Sequence, residues 1–311
     1  MVNKKNCNTM TLYGTKIKSD IVFPLDLTQK TEIRYEAELS SKVPTELKQS
    51  ITCGFPLYWA HGRNVYFYSD REFDGSDMEQ PWCYEVEDVV TFYWVGGEDT
   101  IYYELGEKGD ANLLGFWFVH LLLPLYMTLE GKYDFLHAGA VEVDGRPIFF
   151  IAPSMGGKST MTDYFIKQGH TLVSDDKVPT FIQDGKFMAV GSHPYHRPYR
   201  KFEELGYRVE NFTTAFKPIH AFYQLEGVEV DADISISEIK GFAKFDVLLP
   251  NYLYMFSWLK PQRLKYLSQM LNIIRVFHVK VPWDMERLGE VHDVICEHSE
   301  NIKNSLTSSN L

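Results

Sequence analysis

Short runs of hydrophobic residues alternate with polar positions through the first third of the chain. Between residues 11 and 103 these runs are separated by turn residues, as at 51–53, 65–68 and 89–93. An alternation with a period of two is typical of strands that bury one face. The pattern predicts an antiparallel sheet that forms a small β-rich domain over residues 1–105.

A continuous apolar segment at 113–129 follows this sheet, after glycines at 106 and 109. Hydrophobicity sustained over this length predicts a buried helix. A membrane span is not predicted, because the segment contains His120 and Pro124 and is shorter than the about 20 apolar residues that a spanning helix needs. No membrane partner is therefore expected.

The next segment predicts a strand, a glycine-rich loop and a helix in succession. Two strands, at 135–143 and 147–151, meet at the Asp-Gly dipeptide 144–145, whose residues tolerate the positive φ angles of a tight hairpin turn. The second strand runs into Ala-Pro-Ser-Met-Gly-Gly-Lys-Ser at 152–159. Apolar residues at helical spacing then predict a helix at 159–168.

The remainder of the chain predicts alternating strands and helices. Strands are predicted at 171–173, 178–182, 187–190 and 276–281, and helices at 261–274 and 283–297. These elements predict an α/β (α+β) fold with a mixed sheet. Residues 106–300 would form the second domain, and residues 301–311 a flexible tail.

The composition limits the classes of partner. The 311 residues are 45% hydrophobic and 15% aromatic, as expected for a packed globular protein. A formal net charge of −11 argues against nucleic acid as a partner. The four cysteines, Cys7, Cys53, Cys83 and Cys296, form no C-x-x-C pair, which argues against a zinc site or a redox motif. A reducing cytoplasm is the expected location.

Residues 152–159 match the P-loop pattern G-x-x-x-x-G-K-[ST], except that Ala152 replaces the first glycine. In such a loop, backbone N–H groups point at phosphate oxygens, and the following helix adds its positive dipole end. Lys158 is predicted to reach the β and γ phosphates of ATP, and Ser159 to bind Mg²⁺. The predicted nucleotide-binding residues are Ser154, Met155, Gly156, Gly157, Lys158, Ser159 and Thr160. The alternative is an ordinary glycine-rich turn between a strand and a helix.

Asp175 and Asp176 follow the strand that is expected beside the loop strand. Adjacent side chains at a strand end point to opposite faces, so the two carboxylates can divide two tasks. One, assigned to Asp175, would bind Mg²⁺ together with Ser159. The other would accept a hydroxyl proton as general base, a task open to either aspartate. The alternative is a solvated acidic turn.

These features together resemble the catalytic domain of HPr kinase/phosphorylase, whose P-loop fold is shared with phosphoenolpyruvate carboxykinase. The resemblance rests on Leu-His-Ala-Gly-Ala-Val at 136–141, Val-Glu-Val-Asp-Gly-Arg at 141–146, Gly-Gly-Lys-Ser-Thr at 156–160 and Gly-His-Thr-Leu-Val-Ser-Asp-Asp at 169–176. Outer segments at 13–19 and 281–289 are similar to the smaller HPr kinase-like proteins that include the lasso peptide precursor kinases.

The resemblance implies that His137 lies near the phosphates, that Lys158 and Ser159 bind nucleotide and metal, and that the aspartate pair supplies a base and a metal ligand. On the residues alone, His137 is equally a core histidine at a strand end. Arg197 and Arg200 are predicted to hold the transferring phosphoryl group or the acceptor, with a solvated loop as the equal alternative. The chain lacks the Leu-Glu-x-Arg-Gly-x-Gly segment of full-length HPr kinases, so the reverse reaction and HPr as substrate are not predicted.

The expected function is an ATP- and Mg²⁺-dependent kinase that phosphorylates a serine hydroxyl of a peptide or protein. The leading candidate acceptor is the C-terminal serine of a lasso peptide precursor. The alternatives are a nucleotide-binding regulatory protein without transfer activity, a kinase acting on a small molecule, and a decarboxylating phosphoenolpyruvate enzyme, for which the chain is short. The sequence leaves the oligomeric state open: a homo-oligomer is possible, since HPr kinases assemble as hexamers, yet the smaller relatives need not.

Overall fold

The computed structural model describes residues 8–27, 31–54, 58–72, 79–198 and 201–308, with side chains as far as residue 302. The chain divides into two compact units. The first unit contains the described residues of Met1–Tyr133, Tyr199–Gly206 and Phe256–Leu259. The second unit contains those of Asp134–Pro198, Tyr207–Met255 and Lys260–Leu311.

The first unit is built on a sheet of nine strands within the described residues. They are β1 (Asn8–Leu12), β2 (Thr15–Ser19), β3 (Tyr35–Ser40), β4 (Cys53–Gly54), β5 (Tyr58–Ala60), β6 (Arg63–Ser69), β7 (Pro81–Val86), β8 (Val90–Val95) and β9 (Thr100–Leu105). Their order is β1-β2-β3-β9-β8-β7-β6-β4, and β5 pairs with β6. The predicted sheet is confirmed, but its purely antiparallel character is wrong. β3 runs parallel to both β2 and β9, because long connections on either side of β3 allow the chain to cross over.

Helices cover the sheet of the first unit. They are α1 (Thr45–Ser50), α2 (Ala111–Phe116), a π-helical segment (Trp117–Leu122) and α3 (Leu123–Leu129). The run Ala111–Leu129 is long and apolar enough to cross a membrane, yet 83% of its apolar window is buried within the structure. Tyr126 packs edge-on against Trp94 of the sheet. The predicted buried helix at 113–129 is therefore confirmed.

This helical run belongs to the first unit, whereas the sequence pattern places it in the second domain. The Tyr13 hydroxyl, from the β1–β2 turn, donates a hydrogen bond to the Val119 carbonyl at 3.1 Å. The compact units therefore divide after Tyr133, and the sequence pattern places the boundary at residue 105. The difference arises because an apolar helix belongs with the surface that it buries, which the glycine positions do not reveal.

The second unit contains three sheets within the described residues. Its strands are β10 (Asp134–His137), β11 (Gly139–Val143), β12 (Arg146–Ile151), β13 (Thr171–Ser174), β14 (Lys177–Gln183), β15 (Lys186–Ala189), β16 (Tyr195–His196), β17 (Tyr207–Arg208), β18 (Lys217–Pro218), β19 (Ala221–Val228), β20 (Ser235–Ile239) and β21 (Arg275–Pro282). The six-stranded sheet has the order β13-β11-β12-β19-β21-β20, a second sheet has the order β10-β14-β15-β18, and β16 pairs with β17.

Helices pack on both faces of the six-stranded sheet. They are α4 (Lys158–Lys167), α5 (Ala243–Leu248), α6 (Lys260–Ile273) and α7 (Leu288–Ser308), with 3₁₀ turns at Leu249–Asn251 and Met285–Arg287. One core contains Phe149 and Leu267 of α6, and the other contains Phe150, Phe165 of α4 and Ile295 of α7. Strands covered on both faces need continuous apolar runs, as 147–151 has. The predicted mixed α/β fold class is confirmed.

Local turn chemistry is confirmed where two strands meet at an Asp-Gly pair. The β11–β12 hairpin turns at Asp144 and Gly145, whose φ values are 50° and 73°. The single strand predicted at 135–143 is wrong, because the chain changes sheets at Ala138. β10 pairs with β14 in the smaller sheet, and β11 pairs with β12 and β13 in the larger one.

The tail predicted at 301–311 is helical in the structure up to Ser308. Helix α7 continues to that residue because its apolar stripe extends beyond Val291 and Ile295 to the buried Ile302. Residues 309–311 lie outside the described part of the chain.

Candidate active site

Five strand ends meet at one edge of the six-stranded sheet. β12 and β13 both pair antiparallel with β11, so they run parallel to each other, and β19 and β21 run in the same direction as β12. The carboxyl ends of β13, β12, β19 and β21 therefore share an edge with the amino end of β11. Open α/β sheets bind their ligands outside the carboxyl ends of parallel strands.

The predicted site residues occur in a defined order along this edge. Asp175 and Asp176 follow β13, His137 lies just before β11, and the loop at 152–157 follows β12. Neighbouring strands are about 4.8 Å apart, so β13 lies about 10 Å from the loop strand. The structure thus brings the acidic pair, the histidine and the glycine-rich loop to one edge.

The loop between β12 and α4 has the curled backbone of an anion-binding turn. Met155 and Gly157 have φ values of 64° and 87°, and the Gly156 N–H donates to the Pro153 carbonyl at 3.0 Å. A Cβ on Gly156 would lie 2.8 Å from the Cβ of Ala152. The alanine that replaces the first P-loop glycine is thus accommodated because residue 156 has no side chain.

Lys158 begins helix α4 and is buried. Its ammonium group donates to the Ala152 carbonyl at 2.6 Å and to the Pro153 carbonyl at 3.3 Å. The ammonium group therefore lies against the backbone of the glycine-rich loop, where the phosphates are predicted to bind. Lys158, Ser159 and Thr160 form the first turn of α4, where backbone N–H groups have no acceptor within the helix.

Gly139, in the Leu-His-Ala-Gly sequence, allows strand β11 to pack closely against helix α4. A Cβ on Gly139 would lie 2.0 Å from Oγ1 of Thr162, so β11 packs directly against α4. The Thr162 hydroxyl also donates to the Lys158 carbonyl at 2.9 Å. Gly139 therefore brings the first turn of α4 close to the strand that begins two residues after His137.

Asp175 is buried and held from two sides. Its Oδ2 accepts a hydrogen bond from the Arg197 backbone N–H at 2.7 Å and lies 3.0 Å from Nδ1 of His196. Burial by itself would raise the pKa of Asp175, but these two partners lower that pKa below its ordinary value. Nε2 of His196 also lies 3.6 Å from Oδ1 of Asp163 in α4. Asp175 is therefore a buried carboxylate that stays ionised.

Asp176 reaches solvent and has an unusual backbone conformation. Its φ is 71°, in the left-handed region, which aspartate adopts more readily than most residues other than glycine. Oδ1 lies 3.1 Å from Nε2 of His137, and Oδ2 lies 3.4 Å from Nζ of Lys177. The two adjacent aspartates thus face different surroundings, which agrees with a division of tasks; their roles remain predictions.

The segment at 193–197 contributes buried groups. Arg197 is buried, so the alternative that it belongs to a solvated loop is wrong. Burial lowers the pKa of Lys177, and the positive charge of Arg197 lowers it further. The two cations are therefore close to each other. Burial lowers the pKa of His193 to about 4, so this histidine is neutral. Arg200 lies outside the described residues, and its role stays a prediction.

Sequence reasoning missed an apolar pocket on the other side of the loop. Its lining includes Gly157, Thr160, Leu225, Gly227, Trp283 and Met285. The Trp283 side chain is 60% exposed, which is unusual for so large an apolar group. A Cβ on Gly227 would lie 2.6 Å from the indole ring, so the glycine in β19 makes room for it. The available signal was a tryptophan placed directly after the carboxyl end of a strand.

Oxygen donors at this edge suit Mg²⁺. The Ser159 hydroxyl and the carboxylate of Asp175 are the ligand types that this ion prefers. The lowered pKa of Asp175 keeps the negative charge that a divalent cation requires. The predicted ligands therefore fit the ion chemically.

Comparisons with known proteins find a likeness among solved structures. Neither a protein-family model nor a curated protein matches the chain. Among solved structures, the Hpr(Ser) kinase/phosphatase from Coxiella burnetii is similar with 12% sequence identity and a TM-score of 0.34. The match covers 54% of this chain and 98% of that chain. At this level the likeness assigns neither an activity nor site residues.

Proposed function

We propose that the chain is an ATP- and Mg²⁺-dependent kinase that phosphorylates a serine hydroxyl. One observation supports this most directly: along a single sheet edge, the glycine-rich loop has an apolar pocket on one side and a partly exposed carboxylate on the other. ATP has the same order of groups, namely an apolar base, a chain of phosphates and a reacting terminal phosphorus.

The nucleotide would bind through groups along this sheet edge. The base would stack on the exposed indole of Trp283. The phosphate oxygens would accept hydrogen bonds from backbone N–H groups at 156–159 and from the positive end of α4. The Lys158 ammonium would exchange the carbonyls of Ala152 and Pro153 for the β and γ phosphates.

In the transfer step, the acceptor hydroxyl oxygen attacks the γ phosphorus. The bond from that phosphorus to the β–γ bridging oxygen breaks, and ADP leaves. The hydroxyl proton would pass to the carboxylate of Asp176, which His137 and Lys177 hold in place. Ser159 and Asp175 would hold Mg²⁺, which supplies neutralisation of phosphate charge when bound. Positioning and charge neutralisation would account for most of the rate.

The proposed acceptor rests on the sequence resemblance. We propose a serine on a peptide or protein, with the C-terminal serine of a lasso peptide precursor as the first substrate to test. The absence of nucleic acid and membrane partners agrees with the net charge of −11, and a cytoplasmic location agrees with the lack of a C-x-x-C pair; both stay part of this proposal.

The test is to incubate the purified full chain with ATP, Mg²⁺ and serine-containing peptides, and to measure the peptide mass by mass spectrometry. We expect the mass of one added phosphate group on peptides with an acceptor serine, and none when that serine is replaced by alanine. Lys158→Ala should lower the rate by at least about 100-fold. Lys186→Ala, an exposed residue at the start of β15, is the matched control and should keep the parental rate.

Other outcomes separate the competing functions. ATP binding without any phosphorylated product would support a regulatory nucleotide-binding protein instead. Transfer to a small hydroxyl compound, with every peptide unmodified, would identify a small-molecule kinase. A parental rate in Lys158→Ala would overturn the proposed phosphate site itself.

A further inference from the structure

A cluster of three metal-binding side chains lies at the end of α4 that is remote from the glycine-rich loop. His170 follows α4 and precedes β13, and His292 and Cys296 lie one turn apart on α7. The two Nε2 atoms are 2.9 Å apart. Cys296 Sγ lies 3.8 Å from Nε2 of His170 and 3.6 Å from Nε2 of His292. All three residues are partly buried, so an ion could enter from solvent.

Hydrogen bonds on the far side of each ring fix which nitrogen carries the proton. Nδ1 of His170 lies 3.1 Å from the Glu142 carbonyl, and Nδ1 of His292 lies 2.8 Å from Oδ1 of Asp293. Both partners only accept hydrogen bonds, so each Nδ1 donates. In the neutral rings, both Nε2 lone pairs then point at each other across 2.9 Å. This repulsion is relieved either by a proton on one Nε2 atom or by a metal ion that binds both.

The distances fit a tetrahedral zinc ion. Zinc binds histidine nitrogen at about 2.05 Å and cysteine sulfur at about 2.3 Å, so tetrahedral ligands lie about 3.6 Å apart for a nitrogen–sulfur pair and about 3.3 Å for two nitrogens. The two sulfur distances, 3.6 and 3.8 Å, already match. The two nitrogens, 2.9 Å apart, need to separate by about 0.4 Å.

We propose that His170, His292 and Cys296 bind one zinc ion, with water as the fourth ligand. Imidazole nitrogen with thiolate sulfur is a donor set that zinc prefers. As the zinc–sulfur bond forms, the Cys296 thiol releases its proton to water. The carbonyl of Glu142 and the carboxylate of Asp293 orient the two rings, as outer partners do in known zinc sites.

The site lies outside the proposed catalytic machinery but is connected to it through the fold. The ion would join α7 to the short connection between α4 and β13. α4 begins with Lys158, and β13 leads into Asp175. We therefore assign the ion a structural role: it holds two elements of the active-site edge in register with the C-terminal helix.

Cobalt is the probe for this site, because a cobalt–thiolate bond gives a near-ultraviolet charge-transfer band. The full chain is treated with a chelator, freed of it, and titrated with Co²⁺ and then Zn²⁺. We expect the band to saturate at one equivalent of Co²⁺ and to disappear when Zn²⁺ is added. A zinc excess of 100-fold over Kd should also raise the Tm by about 5 °C.

Variants test which residues bind the ion. Cys296→Ser should lose the charge-transfer band, and His292→Asn should weaken cobalt binding by at least about 100-fold. Cys53→Ser, in the first unit, is the matched thiol control and should keep both band and affinity. An unchanged band in Cys296→Ser, or no band in the parent, would overturn the proposal.

A measurement on the parent protein removes any dependence on variant folding. X-ray absorption at the zinc edge should show one sulfur and two imidazole nitrogens around the ion. A shell of nitrogen and oxygen without sulfur would exclude this site, because Cys296 would then not be a ligand. Neither result depends on phosphate transfer, so the metal site and the kinase proposal fail or succeed separately.

Discussion

Oδ1 of Asp176 lies 3.1 Å from Nε2 of His137, although the two residues are separated by the whole loop and helix α4. Strand pairing creates this contact, since His137 is the ladder partner of Lys177 in β10 and β14. The positive φ of Asp176 turns its side chain out of the ordinary strand direction. The partly exposed carboxylate of Asp176, just before β14, is thus positioned by His137 at the end of the neighbouring strand β10.

Asp176→Asn should lower the rate of phosphate transfer by about 100- to 10,000-fold, because the amide cannot accept the hydroxyl proton. KM for ATP should change little, since the phosphate loop is untouched. Steady-state kinetics with an identified acceptor measure both quantities. Asp231→Asn, on an exposed turn of the same unit, is the control. A parental kcat in Asp176→Asn would show that this carboxylate is not the base.

Asp175→Asn should destabilise the second unit by about 2 kcal/mol or more at neutral pH, because the ionised group that faces the Arg197 N–H and the His196 ring is lost. The folded-state pKa of Asp175 is lowered from 3.8, so its stabilising contribution is present above that pH and is lost as pH falls through the folded value. Urea unfolding of parent and variant at neutral and acidic pH measures the difference. If the difference in unfolding free energy between parent and variant were the same at acidic and neutral pH, Asp175 would not contribute through its charge.

Trp283→Ala should weaken ATP binding by about 10-fold, since the base loses its stacking surface. Trp283→Phe should restore part of the affinity, because an aromatic face remains. Calorimetric titration with ATP gives Kd for each variant. Trp59→Ala removes an exposed tryptophan of the first unit and should leave Kd unchanged. Equal affinity in Trp283→Ala and the parent would remove the pocket from the nucleotide site.

Gly139→Ala should destabilise the protein by about 1–3 kcal/mol, because the new Cβ overlaps with Thr162 Oγ1. Thr162→Ala alone should cost about 1 kcal/mol through its lost hydrogen bond to the Lys158 carbonyl. In the double variant the overlap is gone. The loss of unfolding free energy in the double variant should therefore be smaller than the sum of the losses in the two single variants. Denaturant unfolding of the four proteins completes the cycle. If the two losses of unfolding free energy were strictly additive, Gly139 and Thr162 would not be in packing contact.

Several features of the candidate site were predictable from sequence because they depend on neighbours along the chain. The turn at Asp144 and Gly145 follows from the φ preferences of those two residues. The succession of strand, glycine-rich loop and helix at 147–168 follows from apolar spacing and from glycine freedom. Two adjacent aspartates after a strand had to face different surroundings, as Asp175 and Asp176 do.

Contacts between distant segments were not predictable in this way. The groups beside Asp175 come from residues 196 and 197, and the ring of Trp283 reaches the loop only because Gly227 leaves space in another strand. The absence of a C-x-x-C pair argued against zinc, yet the fold brings His170 to His292 and Cys296 across 122 and 126 positions.

By itself, the sequence determined the α/β elements, the glycine-rich loop and the presence of an acidic pair, because periodicity and backbone preference act over a few residues. Only the tertiary structure decided which unit the apolar helix joins, where the chain changes sheets at Ala138, and which side chains surround the acidic pair and the three proposed zinc ligands. These depend on strand pairing and on the surfaces that helices bury, which join residues far apart in the chain.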